Sequence, residues 1–480
     1  MDELFDIDIL EIHKRLKNKE LSVKDLTLFV LENIKRREEE LNAFITLRDE
    51  EDILKDAEGL DARYPDYLRS PISGIPVAIK DNISVKDMPL TCASRILLGY
   101  KAPYDATCVK KLKENNALLL GKTNLDEFAM GSTGEYSYFG ATKNPLHLEY
   151  VPGGSSSGSA AAVKAGFAFY ALGSDTGGSV RLPAFFTEVV GFKPTYGRIS
   201  RYGLVAFASS LDQVGIIARS AKDAEVVFAH ISGFDEHDST SYPIPPYRVE
   251  ESEKVNIKEL TIGVPYSLIE RVKEEEIKNA VLEVIERFKN AGLTVLDIDL
   301  PHAEYAVYVY QVVATSEASS NLSRYDGVRY GLRAKAEDLM STYFKTRGEG
   351  FGDEVKRRIL LGTFALSTGY YDEYYQKAQK VRRLIKEDTD SVFRRVDGII
   401  LPVSPSFPPR LGEGIKDPIS LYLLDTFTTL ANLAGIPAIS IPLKKRSKEG
   451  FALGFQLMTQ AFREDKLFAL SKFFENSLDG

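Results

Sequence analysis

The sequence predicts an α/β fold: one large α/β/α domain, its sheet covered by helices on both faces, with a helical insertion in the second half. Three observations predict it. Between about residues 60 and 215, short apolar runs alternate with amphipathic stretches, the rhythm of strands and covering helices. Two Gly/Ser-rich turns follow such runs, and open α/β sheets place their sites in loops at strand ends. From about 303 to 397 the pattern is mostly helical, and strand-like runs return between 398 and 480.

The N-terminal part reads as helical, with Ser22 and Asp25 as a cap ahead of the apolar stripe Leu26, Val30 and Ile34. Ile75 to Ile79 is strand-like, Asp105 to Asn115 helix-like, and Ala117 to Leu120 a buried strand. Ala160 to Gly166 reads as a helix with the first Gly/Ser turn at its N-terminus, an end that carries free N–H groups and a positive dipole. Phe167 to Leu172 reads as a buried strand delivering the chain into the second turn. Residues 236–256 are polar and Pro-rich, a surface connection. Leu260 to Val264 and Leu293 to Leu300 read as strands. Between them Ile277, Ala280, Val281, Val284, Ile285 and Phe288 line one face of a helix. In the helical stretch, Tyr370, Tyr371, Tyr374 and Tyr375 are expected to pack in the core or between helices. Ile436 to Ile441 and Gly454 to Met458 return to strand. No repeat or low-complexity tract divides the chain, so 1–480 is expected to be a single domain.

A net charge of −8 over 480 residues argues against a free-standing nucleic-acid binder, which shows a basic stripe. Cys92 and Cys108 form no CxxC pair, so they are expected to be buried free thiols, and no metal site is expected. The first residues lack a basic and an apolar region, and no apolar run reaches the roughly 18 residues of a membrane span. A cytoplasmic protein without membrane contact is expected.

Chemistry concentrates in three places. One is Ser73-Gly74-Ile75-Pro76-Val77-Ala78-Ile79-Lys80-Asp81-Asn82. The second is the turn Pro152-Gly153-Gly154-Ser155-Ser156-Ser157-Gly158-Ser159, and the third is Gly173-Ser174-Asp175-Thr176-Gly177-Gly178-Ser179-Val180-Arg181. A hydroxyl nucleophile needs a base and a nest of N–H groups for the developing oxyanion. Glycines let successive N–H groups converge on one point. None of the five histidines (His13, His147, His230, His237, His302) lies in these turns. Lysine can be the base where burial depresses its pKa. The residues therefore point to acyl transfer by Ser179, with Lys80 as the ultimate base and Ser155 relaying the proton. The N–H groups of Thr176, Gly177, Gly178 and Ser179 are the expected oxyanion hole. Asp175 and Arg181 read as a structural pair fixing the loop.

Together these motifs resemble the amidase signature family, whose mark is a Ser-cis-Ser-Lys triad; the resemblance runs from about Leu26 to Phe474. It implies that family's mixed β-sheet and a cis bond between Gly154 and Ser155. Further blocks narrow it: Gly121-Lys122-Thr123-Asn124-Leu125-Asp126-Glu127-Phe128-Ala129-Met130-Gly131, Lys193-Pro194-Thr195-Tyr196-Gly197-Arg198, and Glu349-Gly350-Phe351-Gly352-Asp353-Glu354-Val355-Lys356-Arg357-Arg358-Ile359. These are similar to the glutaminase (A) subunits of glutamyl-tRNA(Gln) amidotransferases. That likeness implies glutamine as substrate and B and C subunits as partners in a heterotrimer. ATP, Mg and Glu-tRNA(Gln) would be handled on a partner, and this chain would need no cofactor. It also implies substrate contacts from Arg358 (with Arg357 the alternative), Asp425 and Tyr310.

One stretch departs from the family. Phe185 stands where a small residue is usual and Glu188 where glycine is usual. The pair is expected to perturb the loop behind Ser179. Two other readings stay open: a stand-alone amidase on small amides, and a scaffold subunit disabled at this stretch.

Overall fold

In the computed structural model of the chain, which describes residues 2–416 and 418–477, eleven strands form one mixed sheet. They are β1 (Phe44–Leu47), β2 (Pro76–Lys80), β3 (Leu118–Thr123), β4 (Tyr170–Asp175), β5 (Val190–Lys193), β6 (Gln213–Ala218), β7 (Thr261–Val264), β8 (Thr294–Asp297), β9 (Gly398–Leu401), β10 (Ala438–Arg446) and β11 (Ala452–Thr459). Their order across the sheet is β1-β3-β2-β4-β6-β5-β10-β11-β9-β7-β8. Strand β2 runs parallel to both β3 and β4, and β7 runs parallel to β8 and β9. Between these parallel patches the strands β4, β6, β5, β10, β11 and β9 pair antiparallel.

The central strands are buried at every position, as apolar runs without alternation require. Helices therefore cover both faces. Val23–Leu41 starts with the expected capping box: Asp25 N–H donates to Ser22 Oγ, and Ser22 N–H donates to Asp25 Oδ2, each at 3.0 Å. Leu26, Val30 and Ile34 are its buried stripe. Glu275–Asn290 buries Ile277, Ala280, Val281, Val284, Ile285 and Phe288, the expected apolar face. Cys92 and Cys108 are buried free thiols.

Some boundaries differ from the sequence expectation. Strand β4 begins at Tyr170 and carries the polar Ser174 and Asp175 as its last residues. Strands β1, β5, β6 and β9 are additions to that expectation; runs of four to six residues are too short for periodicity to separate strand from helix. The insertion holds the helices Ala306–Asn321, Leu339–Gly350, Asp353–Ala365 and Lys377–Val392. Its tyrosines correct the expectation. Tyr370, Tyr371 and Tyr374 are more than 40% exposed, and Tyr370 and Tyr374 contact Phe364, tilted and edge-on, with ring centroids 4.3 and 5.6 Å away. They lie at or just before a π-helical turn at Asp372–Gln376 and make ring contacts at the surface, Tyr370 with Tyr374 and Tyr371 with Tyr375.

Topology decides where the motifs meet. Because β2, β3 and β4 are parallel, their last residues Lys80, Thr123 and Asp175 share one edge of the sheet. Antiparallel β6 starts at that edge with Gln213, opposite Asp175.

Candidate active site

Lys80 ends β2 and is fully buried. Its Nζ donates to Ser155 Oγ at 2.7 Å, Ser174 Oγ at 2.9 Å and Ser156 Oγ at 3.0 Å. Burial without an ion-pair partner lowers its pKa to about 7; Asp126, Asp175 and Asp212 act in the opposite direction. The neighbouring strand supplies a control. Lys122 is equally buried, yet its Nζ lies 2.8 Å from Asp81 Oδ1. A buried lysine facing hydroxyls can give up its proton near neutrality; Lys122 instead faces a carboxylate.

The Ser155 turn is shaped by Asp126. The Gly154–Ser155 peptide is cis. Asp126 accepts from Gly134 N–H and Tyr136 N–H at 3.0 Å, and its own N–H donates to the Ser155 carbonyl at 3.2 Å. A Cβ at Gly154 would collide with Asp126 Oδ2, so glycine is required by close approach. The helix Ser157–Lys164 follows at once. It is built of small residues because Gly158 rests directly on the backbone of Ala43 and Asn124.

Ser179 lies on the loop after β4 and keeps 7% of its surface exposed. The two turns are tied by Ser156 N–H donating to the Ser179 carbonyl at 3.1 Å. Asp175 and Arg181 fix the loop as expected. Arg181 Nη2 donates to Asp175 Oδ1 at 3.0 Å, both side chains being fully buried. Burial alone would raise the Asp175 pKa; the touching guanidinium more than offsets this and holds it at about 2. Asp175 also accepts from Gly178 N–H at 2.9 Å and Val180 N–H at 3.2 Å. This corrects the expected oxyanion hole. The Gly178 N–H is already engaged, while those of Thr176, Gly177 and Ser179 have no protein acceptor among the described residues.

Three distant groups close the other end. A side chain at Gly177 would strike the ring of Tyr310, and one at Gly178 would strike Thr428 and approach Asp425. Thr428 Oγ1 donates to the Gly177 carbonyl at 2.6 Å, stapling the Asp425 turn to the Ser179 loop. Ser132 Oγ donates to Asp425 Oδ2 at 2.6 Å. Burial raises the Asp425 pKa to about 7. Arg358 is buried, its Nε donating to Glu354 Oε1 at 2.7 Å, whereas the neighbouring Arg357 side chain is 42% exposed. The structure thus brings Lys80, Ser155, Ser179, Tyr310, Arg358 and Asp425 to one edge of the sheet and leaves Arg357 at the surface. Among the described residues no group of three or more His, Cys, Asp or Glu could hold a metal ion.

Phe185 and Glu188 behave differently from the expectation. Phe185 fills an apolar cluster with Val151, Leu182, Phe186, Val403, Leu421 and Leu424. Glu188 does adopt a positive φ of 58°, the conformation glycine favours. Its carboxylate is not stranded, because Lys164 at 2.5 Å and Arg446 at 2.6 Å pair with it. The helix Arg181–Phe186 has by then carried the chain away from the site edge. Val190, two residues on, pairs with Ala218 at the opposite end of β6 from Gln213. The pair therefore leaves the Ser179 loop intact.

Sequence reasoning missed Ser174 and Ser156 as partners of Lys80, and Ser132, Thr428 and Glu354 around the recognition groups. Only Ser174 carried a local signal. Its strand lies parallel beside that of Lys80, and both residues sit at strand ends.

The Amidase family model matches residues 25–468 of this chain. The A subunit of glutamyl-tRNA(Gln) amidotransferase from Methylacidiphilum infernorum is 48% identical over 477 residues, covering 99% of this chain and 95% of that protein. The same-named protein of Bacillus cytotoxicus is 48% identical over 477 residues, with 99% and 98% covered. The crystal structure of the corresponding A subunit from Thermotoga maritima superposes with a TM-score of 0.81 at 42% identity, covering 98% of this chain and 95% of that one. The mixed sheet, the cis Ser155 turn and the lysine–serine contact thus coincide with full-length similarity, and the chain belongs to the amidase family.

Proposed function

We propose that the chain is a glutamine amidohydrolase subunit that releases ammonia for the ATP-dependent conversion of Glu-tRNA(Gln) to Gln-tRNA(Gln). The observation that carries this reading is the buried pair of opposite charges, Arg358 and Asp425, beside the loop of Ser179. A guanidinium suits an α-carboxylate and a carboxylate suits an α-ammonium. Tyr310 lines the space between the Gly177 backbone and these charges.

Ser179 Oγ attacks the side-chain amide carbon and passes its proton to Ser155 Oγ, whose own proton moves to neutral Lys80 Nζ. The N–H groups of Thr176, Gly177 and Ser179 receive the oxyanion. The proton returns through Ser155 to the amide nitrogen, and ammonia leaves. Water then cleaves the acyl-enzyme by the same relay, giving glutamate and restoring Ser179. ATP and magnesium act on a partner subunit, with B and C subunits completing a cytoplasmic heterotrimer.

The test is ammonia release from glutamine by the chain alone and with co-purified B and C subunits, compared with simple amides such as butyramide. Glutamine should be strongly preferred, and its turnover should rise when Glu-tRNA(Gln) and ATP are added to the complex. Equal turnover of butyramide, indifferent to partners, would favour a stand-alone amidase.

A further inference from the structure

Arg358 is aimed by its surroundings rather than by its own chain. Its guanidinium carbon lies over the rings of Phe207 and Tyr422, 5.8 and 5.2 Å from their centroids. Its Nε is occupied by Glu354 Oε1 at 2.7 Å. Fixing Nε and packing against two aromatic rings restricts the rotations of a long, flexible side chain and leaves the terminal nitrogens for a second planar partner. Glu354 stands one helical turn before Arg358 and is itself buried. Its Oε1 also accepts from the Tyr422 hydroxyl at 3.0 Å, and its Oε2 accepts from Arg357.

A carboxylate here would repel a substrate carboxylate on electrostatic grounds. Two guanidiniums on one carboxylate remove that objection, because the group Arg357–Glu354–Arg358 keeps a net positive charge. Adjacent arginines that look interchangeable in sequence thus have different uses. One faces the site, and the other offsets the charge of the group that holds it.

The helix carrying this group is fixed from the triad-bearing core. Its N-cap is Gly352, which has no side chain to cap with. Gly352 N–H donates instead to Glu127 Oε2 at 2.8 Å, and Ser94 Oγ holds Glu127 Oε1. A Cβ at Gly352 would collide with Glu127 Oε2. Glu127 thus supplies the acceptor for the N-cap amide.

We propose that Glu354 is a positioning residue for substrate recognition, locking Arg358 through Nε so that its terminal nitrogens meet the α-carboxylate of the amino-acid amide, with Arg357 and Tyr422 as its supports. The proposal rests on the reading that Arg358 binds that carboxylate.

The experiment uses the full chain with the subunits that co-purify. It measures kcat and KM for glutamine, and the inhibition constant of 4-aminobutanamide, which is glutamine without its α-carboxylate. Glu354→Ala should raise the glutamine KM about tenfold or more, with kcat within about threefold and the 4-aminobutanamide constant within about twofold. Glu354→Gln keeps an acceptor oxygen and should recover most of the loss. A fall in kcat, or an equal weakening of both ligands, would show general structural support and overturn the proposal. Arg358→Ala separates the two layers. If it leaves the glutamine KM unchanged, the carboxylate reading itself fails. If it raises KM while Glu354→Ala does not, the positioning role alone fails. Should Glu354→Ala not fold, Tyr422→Phe and Arg357→Ala decide: each should raise the glutamine KM about threefold without affecting 4-aminobutanamide, and no change in either overturns the role.

Discussion

The two ends of the site are built by opposite means. The reacting end comes from Lys80, Ser155 and Ser179, brought together by three neighbouring parallel strands and their loops. Its partners are hydroxyls and backbone groups, and the buried pair Asp175–Arg181 beside it is used for loop architecture. The recognition end is assembled from Tyr310, Arg358 and Asp425, on three segments distant in sequence, and its working groups are charges. Chemistry at the first end needs a lysine able to lose a proton, and among the described residues no carboxylate pairs with it directly. Binding at the second needs charges kept strong, so burial must be relieved by a ligand of opposite sign. Lys80 and Lys122, on adjacent strands, differ in their partners: hydroxyls surround the first, and the Asp81 carboxylate lies beside the second.

The comparison breaks most sharply at the reacting end. Ser179→Ala and Lys80→Ala should each lower amide hydrolysis by about 10³-fold or more at unchanged thermal stability, and the double variant should be little worse than either. Near-normal steady-state turnover in Ser179→Ala would remove the mechanism.

At the recognition end the loss should appear in KM. Asp425→Ala removes a charge-assisted contact worth about 1.5–3 kcal/mol, so the glutamine KM should rise about 10- to 100-fold. Butyramide, which has no α-amine, should be barely affected. Parallel losses on both amides would make Asp425 a structural residue.

The pH profile sharpens the contrast, because each end contributes one proton. Lys80, lowered to about 7, must be neutral to act, and Asp425, raised to about 7, must be ionised to receive an ammonium. Both requirements fail as pH falls through neutrality, whereas the α-groups of glutamine do not titrate there. The logarithm of kcat/KM should therefore approach a slope of about two below neutrality, and about one in Asp425→Asn. A wild-type profile that stays flat down to pH ~5 would contradict the assignment of Lys80 as base.

The smallest effects should come from the stretch that departs from the family. Glu188→Gly relieves a positive φ at the expense of two part-exposed ion pairs, so stability should move by no more than about 1 kcal/mol and activity should not change. Phe185→Ala should cost about 3–5 kcal/mol in a denaturant titration by emptying its cluster, with Ser179 chemistry preserved. A several-fold gain in activity from Glu188→Gly would return that residue to the site.

Much of the reacting end was legible from residues alone. Gly/Ser turns at strand ends announce convergent N–H groups, and the lack of histidine in them makes Lys80 the proposed base; these are local features that survive without a partner segment. The α/β rhythm, the capping box at Ser22 and the amphipathic face of Glu275–Asn290 were readable for the same reason. What lay beyond reach depends on which segments become neighbours. That Gly178 spends its N–H on Asp175, that Glu188 finds Lys164 and Arg446 at the far edge, and that the tyrosines after Phe364 face outward are results of packing. So is the choice of Arg358 over Arg357, where a step of one residue along a helix turns a side chain by about 100°. The sequence by itself determined the α/β class and marked Ser179 and Lys80 as the proposed nucleophile and base, because that chemistry is written in short contiguous motifs. Only the tertiary structure decided which charges are paired, buried and aimed, because electrostatic energy depends on distance and burial, and neither is a property of position in the chain.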